Sequence, residues 1–165
     1  MKFISAKSLV NAARDRGYAV PALNANGATY DIARAALEAA QATASPLILQ
    51  SYEPNLEYRG AEYFVQMTAL LCDELNVTIP VALQLDHGHS LESTVKVMKA
   101  GFTSVMFDAS HDPLEENIRK TLEVVKIAKI MGCSIEAEVG YVKGNEPAKE
   151  RQVGRTPVPE RPLIP

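Results

Sequence analysis

An α/β fold of the TIM (β/α)8-barrel type, truncated to about five βα units, is the class this sequence predicts, on three observations. Strand-like and helix-like blocks alternate along the chain, the strand-like blocks are near-continuous apolar runs, and one after another they end in a polar residue. The first two require a parallel sheet buried on both faces. An open doubly wound sheet and a barrel both meet that requirement. An open dinucleotide-binding sheet carries G-x-G-x-x-G after its first strand, and Asn24-Ala25-Asn26-Gly27 does not supply it. The third observation favours the barrel, whose strands deliver their C-terminal ends to one mouth where an active site is built. Asn24, Ser51, Asp86 with His87, Asp108 and Glu138 are those endings.

Each element has its local signal. Ser5 is placed to cap a first helix through Leu9, Val10, Ala12 and Ala13 that stops at Gly17. Tyr18 to Asn24 is a short apolar run with a polar end. Thr29 is expected to cap an Ala-rich helix from Tyr30 to about Ala42, with Ile32, Ala33, Ala36, Leu37 and Ala40 on one face. Leu47 to Ser51 reads as a buried strand. A helix follows from about Ala61 to Leu75, its Phe64, Val65, Thr68, Leu71 and Leu75 at helical spacing. Val81 to His87 is the third strand. Ser90 caps a helix over Leu91–Lys99 that Gly101 closes. Ser104 to Asp108 is the fourth strand. Pro113 suits the first turn of a long helix ending at Gly132. Ser134 to Val139 is the fifth strand. Residues 1–140 thus hold five βα units of one domain, and 141–165, rich in charge and proline, read as an extended loop or tail.

Composition narrows the function classes. The chain has 165 residues, which suits one domain at roughly 100–200 residues each. The formal net charge is −3 and no Lys/Arg run stands out, so neither nucleic acid nor an anionic membrane is the expected partner. Trp is absent and aromatics are few, against a stacking platform for single strands. No secretion signal and no apolar stretch of membrane-spanning length is visible. Cys72 and Cys133 lack CxxC spacing and read as reduced core thiols. The expected location is cytoplasmic.

Asp86-His87 is the sharpest candidate for chemistry. A neutral imidazole ligates zinc well, and an adjacent carboxylate can move a proton beside the metal. An isolated Asp-His at a strand end is more often a polar cap with a structural histidine. Asp108 and Glu138, ending the next two strands, shift that balance toward a site. His87-Gly88-His89 also forms an H-x-H, which metal-dependent amidohydrolase barrels carry at their first strand and not, as here, after the third. His89 reads as a loop residue and His111 as a loop or capping residue. Asp108 and Glu138 are acceptors for a metal-bound histidine or alternative ligands. Glu136 shares the side of Glu138 but sits deeper. Ser51 and Asn24 are small polar groups suited equally to structure or to a substrate hydroxyl or phosphate. Glu115, Glu116, Arg119, Lys120 and Lys126 read as a solvated helix face.

Four runs together resemble one family. Val81-Ala82-Leu83-Gln84-Leu85-Asp86-His87-Gly88 is similar to the LxLDH signature of class II fructose- and tagatose-bisphosphate aldolases. Tyr18 to Asn24, Ser104 to His111, and Ile135 to Gly140 resemble their other motifs, in order, and the match extends to about Glu146. The resemblance implies a zinc (Zn2+) lyase that reversibly cleaves fructose or tagatose 1,6-bisphosphate to dihydroxyacetone phosphate and glyceraldehyde 3-phosphate. It implies that Asp86 is the acid/base at the C4 hydroxyl and His87 a zinc ligand. Asp108 and Glu138 match carboxylates near the metal, Glu146 a loop glutamate that shuttles the C3 proton, and Asn24 and Ser51 substrate contacts.

The sequence also departs from that family. The other two zinc histidines and the glycine-rich phosphate loops belong to later strands, beyond Pro165. Tyr141-Val142-Lys143-Gly144-Asn145 lacks the double glycine common before the loop glutamate. A full barrel takes about 250 residues. A truncated or partial aldolase, inactive alone, is therefore expected. It would work as a homo-oligomer or with a complementary or full-length aldolase chain. An inactive remnant or accessory subunit, and a metal-dependent barrel hydrolase using His87 and His89, are the alternatives.

Overall fold

The computed structural model describes residues 2–27 and 29–140. In chain order the elements are α1 (Ala6–Arg16), β1 (Ala22–Asn24), α2 (Thr29–Ala42), β2 (Leu47–Tyr52), α3 (Glu53–Arg59), α4 (Ala61–Glu74), β3 (Val81–Gly88), α5 (Leu91–Ala100), β4 (Ser104–Phe107), α6 (Leu114–Met131) and β5 (Ser134–Ala137). The five strands form one parallel sheet in the order β1-β2-β3-β4-β5.

That order separates the two architectures left open by the sequence. A doubly wound sheet reverses strand order at a switch point and so places helices on both faces. Here every connection steps to the next strand in the same direction. Right-handed crossovers then put all the connecting helices on one face, which is the winding of a TIM barrel.

The two faces of the sheet bury different partners. Leu47, Leu49, Leu83, Leu85, Val105 and Phe107 alternate toward the helices and meet Leu37, Phe64, Leu71, Val97 and Val124. The Phe64 and Phe102 rings stack there at 5.5 Å. Ile48 and Ala82 turn the other way and pack on Ala6 and Leu9 of α1, with Ile4 and Val20 beside them. Helix α1 therefore closes the N-terminal end of the inner face. Above it the inner face turns polar, with Gln84 donating to Glu136 across from β3 to β5.

Several local expectations need correction. Ser5 occupies the N-cap of α1 but makes no side-chain cap. The free N–H groups of that helix are met from afar: Ala6 donates to Ser104 Oγ at 2.8 Å and Lys7 to Ser134 Oγ at 3.4 Å. Thr29 is not a cap either. It is the first residue of α2, buried, with its hydroxyl donating to the Gly27 carbonyl. The first strand is Ala22–Asn24 and not Tyr18–Asn24, and the fifth stops at Ala137; among the described residues each pairs on one side only. Helix α3 was not anticipated. Pro54 sits in its first turn, where its fixed φ suits the start of a helix. The Ser90 cap holds, accepting from the Ser93 N–H at 3.0 Å. Gly17, Gly101 and Gly132 end their helices in left-handed conformation. The tail, 141–165, lies outside the described residues, and Glu146 with it. No helix among the described residues is long and apolar enough to cross a membrane. Cys72 and Cys133 are free thiols.

Candidate active site

The site begins with an irregularity in β3. Leu85 lies opposite Val105, but the next pairing joins Gly88 to Phe107, so β3 carries one extra residue there. His87 absorbs it with a positive φ of 51°, a conformation uncommon outside glycine. In a regular strand Asp86 and His87 would project to opposite faces. The bulge re-aims one of them, as bulges beside active sites do. Asp86 Oδ1 consequently lies 3.9 Å from His87 Nε2, on the same side. Gly88 makes room for this turn. A Cβ there would stand 2.6 Å from Leu85 Cδ2, 2.8 Å from Thr94 Cγ2 and 3.1 Å from the Met106 carbonyl oxygen.

Strands β4 and β5 bring the remaining groups. His87 Nδ1 is hydrogen-bonded to Asp108 Oδ2 at 3.0 Å, and Glu138 Oε2 lies 4.0 Å from the same nitrogen. Asp108 follows the last residue of β4, where its other oxygen accepts the Ser110 N–H at 2.9 Å. Asn117 of α6 donates to the Glu138 carbonyl and fixes the chain just after β5. From β1, Asn24 Nδ2 donates to Asp86 Oδ2 at 2.8 Å. Of the residues expected to line a site, Asn24, Asp86, His87, Asp108 and Glu138 are thus brought together.

Ser51 stands apart from this cluster. It is 2 % exposed and in register with Leu85, whereas Tyr52 is in register with Asp86. The Tyr52 ring meets His87 edge-on at 6.3 Å. Tyr52 was missed in the sequence, although period-2 alternation along β2 was enough to place it beside Ile48 and Gln50 on the inner face. Asn26, which accepts the Tyr52 N–H, and Glu53, which accepts the His89 N–H, were missed too. They shape the loops, and no motif marks them. His89 and His111 are exposed and outside the carboxylate cluster.

Charge in the site is arranged for an imidazole among carboxylates. Burial alone lowers the His87 pKa, but the Asp108 hydrogen bond and the charges of Asp86, Asp108 and Glu138 outweigh it and raise the group above its ordinary value. Burial likewise pushes Asp108 up, and hydrogen bonds from Ser110 and His87 outweigh it, holding the carboxyl below its usual range. Ligand atoms of His87, Asp108 and Glu138 lie within 4.8 Å of one another. One imidazole nitrogen with two carboxylate oxygens is a donor set that suits a divalent cation. The residues present therefore fit a metal, with Asp86 beside it.

Comparisons with known proteins point the same way. The family model for fructose-bisphosphate aldolase class-II matches residues 4–160. A probable fructose-bisphosphate aldolase of Bacillus subtilis is 45% identical over 147 residues, covering 88% of this chain and 51% of the relative. A fructose-bisphosphate aldolase of Staphylococcus aureus is 44% identical with the same coverage. Among solved structures, the YdjI aldolase of Escherichia coli K12 superimposes with a TM-score of 0.74 at 31% identity, covering 88% of this chain and 53% of that one. A putative fructose-1,6-bisphosphate aldolase of Coccidioides immitis gives 0.75 at 30% identity, covering 86% and 48%. The chain spans about half the length of the curated relatives it matches.

Proposed function

The chain belongs to the class-II fructose-bisphosphate aldolase family, and from that premise we propose that it carries the acid/base and part of the metal site of a zinc-dependent ketose-bisphosphate aldolase. The reaction is the reversible cleavage of fructose or tagatose 1,6-bisphosphate to dihydroxyacetone phosphate and glyceraldehyde 3-phosphate. The observation that carries this reading is the convergence of Asp86, His87, Asp108 and Glu138 from three neighbouring strands.

His87 would hold the zinc, with Asp108 and Glu138 as oxygen ligands or as acceptors that orient the imidazole. Bound zinc supplies a Lewis acid for the negative charge that develops on substrate oxygens as the C3–C4 bond breaks. Asp86 accepts the C4 hydroxyl proton in cleavage and returns it in condensation. Asn24 would meet a hydroxyl or phosphate group of the ketose, whereas Ser51, buried and in register with Leu85 and not with Asp86, offers it no contact. The resemblance gives Glu146 the C3 proton.

His87 is the one imidazole in the described cluster. That favours a second reading, in which the chain works only as part of a homo-oligomer or beside a complementary aldolase chain. The exposed edge residue Leu23 on β1 suits such pairing. The free thiols accord with a cytoplasmic location.

A cleavage assay tests the proposal. Fructose and tagatose 1,6-bisphosphates are supplied with zinc and with a chelator to the chain alone and to the chain joined to the second half of the Bacillus subtilis relative. The chain alone is expected not to turn over. The joined chain is expected to cleave one substrate in a zinc-dependent way, and Asp86→Asn to lower the rate by about 10²–10⁴-fold. Zinc-independent cleavage, or full activity of Asp86→Asn, contradicts it.

A further inference from the structure

Asn24 has a task that its place in the sequence does not reveal. Its Nδ2 reaches 2.8 Å to Asp86 Oδ2, linking β1 to β3 across the intervening β2. An ionised carboxylate only accepts hydrogen bonds, so the amide nitrogen and not its oxygen must face Asp86. The other carboxylate oxygen, Oδ1, lies 3.9 Å from His87 Nε2. The two oxygens of Asp86 are therefore distinguished. Oδ2 is tied to the amide, and Oδ1 is turned toward the imidazole.

We propose that Asn24 is a positioning residue for Asp86, holding its carboxylate in the one rotamer that presents Oδ1 for proton transfer. This rests on the acid/base reading of Asp86 and goes beyond it, since Asn24 then acts through Asp86 and not only on the substrate. The physical need is plain. A short acidic side chain at a bulge has two free torsions, and a displacement of about 1 Å at the reacting group lowers a rate about 10²-fold. Asn24 itself is exposed at the outer strand, so truncating it removes little packing. Its effect on Asp86 is thereby separable from an effect on folding.

The test is NMR of the full chain carrying Asn24→Ala or Asn24→Asp. Three-bond couplings of the Asp86 β protons and the shift of its carboxyl carbon report the rotamer. One rotamer is expected in the parent and averaging in both variants, with the thermal midpoint unchanged. In the cleavage assay of the joined chain, kcat should fall about 10²-fold, well beyond any rise in KM from the lost substrate contact. A single Asp86 rotamer retained in Asn24→Ala, or a rise in KM with kcat intact, overturns the proposal and leaves Asn24 a substrate contact. If no form cleaves a ketose bisphosphate, the aldolase reading falls, while the couplings still decide whether Asn24 holds Asp86.

Discussion

At the scale of single residues, His87 and Gly88 show how a site is built from a local rule broken on purpose. The left-handed φ of His87 costs strain that only the surrounding contacts sustain. Gly88 is part of that support, since a methyl group there collides with Leu85, Thr94 and the Met106 backbone. Gly88→Ala should destabilise the chain by about 1–3 kcal/mol in denaturant unfolding and weaken the metal binding proposed at His87. An unchanged unfolding midpoint would mean the bulge has slack. Protons would compete with the proposed metal for His87. Its pKa is raised, so its bond to Asp108 stabilises the metal-free fold most fully below the unfolded value of about 6.5 and loses that effect as pH rises through the folded value. Asp108 is lowered, so its contribution is present above its unfolded pKa and fades as pH falls through the folded one. Zinc affinity should therefore fall about tenfold per pH unit below the His87 pKa. A flat calorimetric profile across that window would exclude His87 as a ligand.

At the scale of elements, the sequence was most legible where a signal is local. The Ser90 cap and the glycine stops were readable because a cap and its helix are neighbours in the chain. The capping of α1 was not readable, because Ser104 and Ser134 lie far along the chain from Ala6 and Lys7. The two hydroxyls stand 2.7 Å apart and bind strands β4 and β5 to the helix that closes the inner face. Ser104→Ala should lower stability by about 1–2 kcal/mol, the usual effect of losing a cap. Ser5→Ala, by contrast, should change it by only a few tenths, because Ser5 makes no side-chain cap. Equal losses in thermal unfolding would refute this division. The polar strand endings were visible in sequence, but their grouping was only partly so. Ser51 looked equivalent to Asn24 until register put Tyr52, and not Ser51, opposite Asp86.

At the scale of the whole molecule, strand order carries the fold and the fold carries the site. Alternating blocks in the sequence allowed two windings, and only the sequential order β1-β2-β3-β4-β5 selects the barrel type. Pattern alone reports which segments are strands, whereas order depends on contacts between distant segments. The same sequential order is what sets the ends of β3, β4 and β5 side by side, so that Asp86, His87, Asp108 and Glu138 meet. The proposed chemistry would then rest on one imidazole among carboxylates at neighbouring strand ends. The most direct measurement is a calorimetric zinc titration of the purified chain beside its His87→Ala variant at neutral pH. One zinc per chain is expected, with affinity lowered at least about 10–100-fold by His87→Ala while the variant stays folded. Binding that ignores the substitution, or none by a folded parent chain, would contradict a metal centre at the end of β3.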